Sequence, residues 1–437
     1  MIKSLFGSRP ACALGNLFRK ANQSGVRAVG SLSAGNAAVR VSQIGLLAIT
    51  LATIDPASYG QFAMASAIVA IGVLCAEGGL IQATTAMAEI SHEEERASVS
   101  LAAVFGMVVY LLILLVSALV ALLPSLAQVF AISALLGSST VTYSVAAPSL
   151  GRLQRLGKFS AIARRQILSG VISLIVGLAI FIVGAGVWAL IVQSWLVVTM
   201  AGILIIIHPE TRIRPSINFY EARQVRRRAA LALSANVIGI VGRRADDVVL
   251  GVALGASALG QYSLGYRALT TLTEVLLHPV ERVSLSRVAN AHAASRGEAV
   301  KIARRAERKL TLIAGPIFAI AGVVGMVLIP RILGEQWTLA GYCCLFLLAG
   351  GAVQSAYWLR YSMLFVLRGG RRALTFQSLN VSILLTSTLI MLPFGPVGCS
   401  IGYLIGCLVV LLLSRLFSIN SNNAEFCNAR ADAGVRT

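Results

Sequence analysis

The sequence predicts an all-α, polytopic membrane protein of about twelve transmembrane helices, arranged as two six-helix bundles related by a parallel internal repeat. Three observations predict it. The 437-residue chain is 57% hydrophobic and only 12% charged, whereas soluble domains carry roughly a quarter charged residues. Its apolar residues recur in runs of about twenty, the length a helix needs to cross the hydrocarbon core. Its basic residues fall almost entirely between alternate pairs of runs. Backbone polar groups in lipid find no water, so each such run reads as a helix that satisfies them internally.

In chain order, a basic tail (1–35) leads into a first bundle, 36–207, with spans at 36–53, 62–84, 98–123, 126–147, 167–184 and 188–207. A linker (208–229) precedes the second bundle, 230–417, with spans at 230–253, 262–283, 310–330, 339–365, 374–393 and 397–417; a tail (418–437) follows. Spans 36–53, 230–253 and 262–283 carry charges or small residues that interrupt the apolar pattern. The outer loops, 54–61, 124–125, 185–187, 254–261, 331–338 and 394–396, are too short to fold as domains.

The formal net charge is +20, which by itself would suit nucleic acid or an acidic partner. Its placement points elsewhere. Of 37 Lys and Arg, 29 lie in seven alternate segments beginning with the N-terminal tail, and one, Arg331, lies in the opposite loops. That is the positive-inside bias, and it places both termini in the cytoplasm. No nucleic-acid site is implied. The start, MIKSLFGSRPACALGNLFRK, lacks a continuous apolar stretch with a cleavage site, so no removable signal peptide is expected. The seven cysteines show no metal-ligand spacing and read as small packing residues. The inner segment EAVKIARRAERKLTLIA (298–314) is basic and amphipathic. It suits either a helix lying on an anionic membrane surface or an extension of the next span.

The two halves are related. ATIDPASYGQFAMAS (52–66) aligns without a gap to VALGASALGQYSLGY (252–266), matching Gly60-Gln61-Phe62 to Gly260-Gln261-Tyr262 at an offset of 200. Arg155-Leu156-Gly157-Lys158 is echoed by Arg368-Gly369-Gly370-Arg371. Six spans return the chain to its starting side, so the repeat is parallel, as in alternating-access transporters.

The segment RRADDVVLGVALGASALGQYSLGYRALTTLTEVL (243–276) resembles the seventh and eighth helices of the lipopolysaccharide and exopolysaccharide flippases. These belong to the multidrug/oligosaccharidyl-lipid/polysaccharide exporter superfamily. DPASYGQFAMAS, CAEGGLIQA (75–83), GAGVWALIVQ (184–193) and ILGEQW (332–337) extend the resemblance over 36–410. The doubled Arg and doubled Asp of 243–247 depart from the family pattern. The resemblance implies alternating-access export of a polyprenyl-diphosphate-linked oligosaccharide across a bacterial inner membrane. It also implies surrounding membrane lipids, with a polysaccharide polymerase and chain-length proteins as candidate partners.

Such cargo sets physical requirements. A diphosphate with sugars needs a polar path, because unsatisfied polar groups cost several kcal/mol in hydrocarbon. It also needs cations, and the planar fork of arginine suits phosphate oxygens. Arg40, Arg243, Arg267 and Arg360 are the candidate substrate-binding residues. Arg267, Thr270, Thr271, Glu274, His278 and Glu281 recur at helical spacing, with Pro279 permitting a kink. They line a cavity, or at the 278–283 end they meet solvent. Glu77, Asp246, Asp247 and Glu274 are the candidate ion-coupling set, since an acid in lipid is a natural proton acceptor. Alternatives stand beside this: Glu77 as a packing residue, and Arg243 paired with Asp246 or Asp247 along one helix.

Enzyme signatures are not found. GRLQRLGKF (151–159) has the wrong spacing for a phosphate loop, the four histidines form no ligand set, and there is no GxSxG elbow. No catalytic residue, metal or cofactor is expected. The rival readings are a cation-coupled multidrug exporter of the same superfamily, a lipid-II flippase as a third member, a membrane glycan polymerase or glycosyltransferase, and a non-transporting scaffold.

Overall fold

A computed structural model of the chain describes residues 35–77, 80–81, 84, 92–209, 247–368 and 370–414. Among them, ten helices are long and apolar enough to cross a membrane, and a shorter apolar helix, α1, covers Gly35–Leu51. Most of the predicted span 230–253, most of the linker and both tails lie outside the described residues. The chain divides into two compact units: Met1–Ile54 with Met64–Val241, and Asp55–Ala63 with Gly242–Thr437.

The first unit holds α1, most of α2 (Pro56–Glu77), α3 (His92–Val120), α4 (Val129–Arg155), α5 (Phe159–Ile182) and α6 (Trp188–Ile206). Asp55 starts α2. Its carboxylate accepts the backbone N–H of Ala57 and of Ser58, each at 3.0 Å, and the Ser58 hydroxyl at 2.6 Å, while Pro56 occupies the first helical position. Helices α4 and α5 both end on a left-handed glycine. At Gly157 (φ +68°), the N–H of Lys158 reaches Leu153 O and that of Gly157 reaches Gln154 O. Gly184 (φ +86°) repeats the pattern with Ala185 to Ile180 and Gly184 to Phe181. These are Schellman ends, and Cβ-bearing residues would be strained there. Inside the unit, polar side chains join helices where small residues let them approach. The Ser144 hydroxyl lies 2.7 Å from both Ala76 O and Ala102 O, and Gln193 Nε2 donates to Ser42 O at 3.0 Å.

The second unit holds α7 (247–272), a π-helical turn (Thr273–Leu277), α8 (His278–Ala294), α9 (Arg296–Leu333), α10 (Thr338–Gln354), α11 (Arg360–Arg368), α12 (Gly370–Ile390) and α13 (Gly395–Ser414). Helix α9 packs against α8 and α10, and α13 against α10 and α12. The predicted loop 254–261 is helical, apart from a left-handed Gly255 at φ +83°. That residue stands 200 positions after Asp55, where the chain turns between α1 and α2.

A second expectation changes, and one pair of readings is decided. The single predicted span 339–365 is two helices, α10 and α11, separated by a turn at 355–359. There the backbone bonds tighten to i→i−3, Ala356 to Val353 and Tyr357 to Gln354. Hydropathy cannot register such a break, because Tyr357, Trp358 and Leu359 keep the run apolar. The basic segment 298–314 is one uninterrupted part of α9, so of its two readings the extension of a span is the one observed.

Candidate functional site

Three motifs that carried the resemblance meet within the second unit. Gly60 and Gly260 bring two backbones together: a Cβ on Gly60 would stand 1.7 Å from Ala256 O, and one on Gly260 would stand 2.0 Å from Pro56 O. The contact is reciprocal at the repeat offset, as a local two-fold relation between 56–60 and 256–260 requires. Only residues without a Cβ fit there. Beside it the Tyr59 ring meets Trp337 edge-on, with centroids 5.9 Å apart and both side chains buried. Gln261 Nε2 donates to Gln336 O at 2.6 Å, and its Oε1 accepts the Ala340 N–H at 2.8 Å. The glutamine thus fastens the start of α10, where helical N–H groups lack partners.

After this junction α7 carries a run of polar residues. Tyr262 and Tyr266 stack at 5.9 Å, and the hydroxyls of Thr270 and Thr271 donate back to Arg267 O at 3.0 and 2.8 Å. Arg267 is half-buried on this helix, and Glu274, also half-buried, lies in the π-turn. Such turns widen a helix by one residue and often accompany functional positions. His278 and Pro279 then open α8.

One turn further, Glu281 organises a polar cluster. It accepts the Trp358 indole N–H at 3.0 Å and the Ser362 hydroxyl, and His278 Nδ1 lies 3.5 Å away. The His278 ring stands edge-on to Trp358 at 5.3 Å. A second cluster also draws on a residue that follows the helix break. Arg360 grips Glu307 with two parallel bonds, Nε to Oε1 at 2.9 Å and Nη2 to Oε2 at 3.3 Å, while Nη1 donates to Ser414 O at 2.8 Å. This arrangement links α9, α11 and the end of α13. The turn at 355–359 makes both clusters possible, because it reorients Trp358, Arg360 and Ser362 relative to α10.

The other predicted site residues are placed as follows. Arg40 is exposed on α1 in the first unit. Asp247 is buried at the start of α7, with 3% exposure. Glu77 is the last residue of α2, and its side chain, like all of Arg243 and Asp246, lies outside the described residues. Arg360 is engaged by Glu307.

The family model described as polysaccharide biosynthesis protein matches residues 53–340, more than half of the chain. The chain belongs to this family. No curated protein matches it in sequence. Among solved structures, the chain is similar to the lipid II flippase MurJ in an inward closed conformation. The identity is 12%, the TM-score 0.71, and the alignment covers 88% of this chain and 87% of that one. It is also similar to an inward-facing multidrug resistance MATE family transporter of the MOP superfamily (12% identity, TM-score 0.67, 89% and 97% covered). A MOP superfamily transporter from Pyrococcus furiosus, described as having a binding pocket of reversed polarity, follows (13%, 0.60, 90% and 94%). At these identities the likeness establishes the fold.

Several polar residues of this family member escaped sequence reasoning. Glu307 sits in a run of cations and reads as a solvated charge, yet its side chain is 11% exposed. Its i, i+3, i+4 phase with Ala299, Ala303 and Leu310 is the signal that it faces inward. Arg165 is buried in α5 at 8% exposure, although it falls in a predicted inner loop. Trp358 and Ser362 read as ordinary members of an apolar run.

Proposed function

We propose that this protein flips polyprenyl-diphosphate-linked oligosaccharide repeat units across the bacterial inner membrane by alternating access, for lipopolysaccharide or exopolysaccharide synthesis. Both termini then lie in the cytoplasm, and a polysaccharide polymerase and chain-length proteins act on the product. The observation that carries the reading is the polysaccharide biosynthesis family match over 53–340, on a fold similar to that of a lipid II flippase. Moving a lipid-linked headgroup breaks no covalent bond, so the protein's task is to bind and release.

In this reading Arg267 is the central cation, on a helix whose polar face also carries Thr270, Thr271 and Glu274. Arg40 and Arg243 complete the set, and Arg360 joins it only by leaving Glu307. Glu77, Asp246, Asp247 and Glu274 are the proposed coupling acids. The second reading, a cation-coupled multidrug exporter, is favoured by the similarity to a MATE transporter. The arginine-rich set argues for the anionic cargo, since Arg offers donors and fixed positive charge.

The test is deletion and complementation, scored by where lipid-linked repeat units accumulate. Accumulation on the inner leaflet with loss of surface polysaccharide, restored by wild type and reduced at least about tenfold with Arg267→Gln, supports the flippase. Normal surface glycan and unchanged lipid-linked pools in the deletion would favour the drug exporter.

A further inference from the structure

The first turns of α9 carry a face that the proposed transport cycle does not use. Between residues 299 and 310 lie five cations, Lys301, Arg304, Arg305, Arg308 and Lys309, and one acid, Glu307. All five cations are exposed, while Ala299, Ala303, Glu307 and Leu310 are buried. Relative to Lys301 the cations occupy i, i+3, i+4, i+7 and i+8, which is one stripe of a helix. Glu307 is buried on the other side against Arg360, so the acid this face carries is the exposed Glu298, one turn before Lys301, against five cations.

The stripe does not end at Lys309. On the same face Leu312, Ile313, Ile320, Val323 and Val327 are exposed, and Ala314, Phe318 and Gly322 continue the buried side. One unbroken helix therefore presents first a cationic and then an apolar surface to its surroundings. Its 38 residues span about 57 Å, against about 30 Å for a hydrocarbon core. The cationic end must project from the membrane. Along the axis Lys309 stands about 5 Å from Leu312 and Lys301 about 17 Å. The stripe thus begins at headgroup depth and rises out of it, and long Lys and Arg side chains can bend back toward phosphates.

We propose that this face binds anionic phospholipid headgroups, with acyl chains lying on Leu312 and Ile313 and phosphates held by the Lys301–Lys309 cations. The register between the two surfaces selects lipid over a soluble acidic partner: a lipid whose chains cover the apolar stripe has its phosphate beside Arg308 and Lys309. Arginine adds paired donors for phosphate oxygens. Because Glu307 on the opposite side of these turns holds Arg360, and Arg360 holds Ser414, bound lipid braces the α9–α11–α13 junction. The inference requires only that α9 spans a membrane, and is independent of the cargo.

The experiment places the full-length protein in nanodiscs of phosphatidylcholine, alone or mixed equally with phosphatidylglycerol, and measures the lipids retained on the protein by native mass spectrometry. Wild type is expected to enrich phosphatidylglycerol, and Lys301→Gln/Arg304→Gln/Arg305→Gln/Arg308→Gln to lower that enrichment about tenfold. Raised salt should weaken the wild-type enrichment, because the contact is electrostatic and exposed. Arg304→Lys/Arg305→Lys/Arg308→Lys, which keeps the charge, should retain most of it. Arg371→Gln/Arg372→Gln, a change at another exposed basic pair, should leave it intact. No wild-type enrichment, enrichment indifferent to salt, or equal enrichment in the four-Gln variant would each overturn the proposal. If the four-Gln variant fails to fold, the wild-type salt response and the Arg371/Arg372 control decide it.

Discussion

Glu307 and Arg360 stand in surroundings that their neighbours in sequence do not suggest. Each is largely buried, with side-chain exposures of 11% and 15%, and they meet as a two-pronged pair. A buried pair loses much of its Coulomb gain to desolvation, but removing one partner strands the other. Glu307→Ala is therefore expected to destabilise the protein by about 3 kcal/mol, with Glu307→Leu/Arg360→Met costing less than either single change. Thermal unfolding in detergent measures both. Asp55 illustrates a milder effect outside the spans. Partial burial pushes its carboxyl up, but the Ser58 hydroxyl and the Ser58 and Ala57 N–H groups outweigh this and hold it below its ordinary value. A depressed folded value means that the cap's contribution is complete above the ordinary carboxylate range. It is lost as pH falls through the lower folded value. Asp55→Ala should cost about 1 kcal/mol at neutral pH, and its deficit relative to wild type should shrink as acid protonates the wild-type carboxyl.

At the scale of elements, the helices owe their limits to different causes. Helices α4 and α5 stop where glycine permits a left-handed turn, a signal present in Arg155-Leu156-Gly157-Lys158 and in the glycine at 184. Helix α10 stops at 355–359 for a tertiary reason: Tyr357 is drawn into the interior against Phe376, their rings 6.5 Å apart and edge-on. Trp358 is drawn to Glu281. The Gly60–Gly260 crossing depends on both helices at once. Since a Cβ on either glycine would overlap a carbonyl of the other segment, Gly60→Ala and Gly260→Ala should each cost about 1–3 kcal/mol. A thermal midpoint unchanged in both variants would refute the close approach. The echo of GQF in GQY was legible in the sequence. That the two glycines touch was not, because sequence similarity shows equivalence and carries no distance.

For the whole molecule, the family match and the similarity to MurJ and MATE structures agree with a multi-pass membrane protein. Its orientation rests on the basic segments. A periplasm-dependent phosphatase inserted at 334–337 is expected to be active, and one inserted at Ser295 inactive, with a C-terminal fluorescent protein folding in the cytoplasm. The reverse pattern would invert the topology and move the α9 cationic face to the outer leaflet.

The sequence alone determined the solvent, the all-α class and the charge asymmetry of the apolar runs. Lipid imposes its demand on each segment separately, through length, apolarity and flanking cations, so these are local properties of the chain. The repeat and the family resemblance were legible for a similar reason, as patterns along the chain. Only the tertiary structure decided which charges face inward and which motifs meet. Glu307 and Arg308 are adjacent acid and base in one polar run, but helical phase buries the first and exposes the second. Arg267 and Arg360 read alike as intramembrane cations, yet packing gives Arg360 a carboxylate from α9. Such pairings depend on distances between helices, set by the packing of the whole unit and absent from any single span.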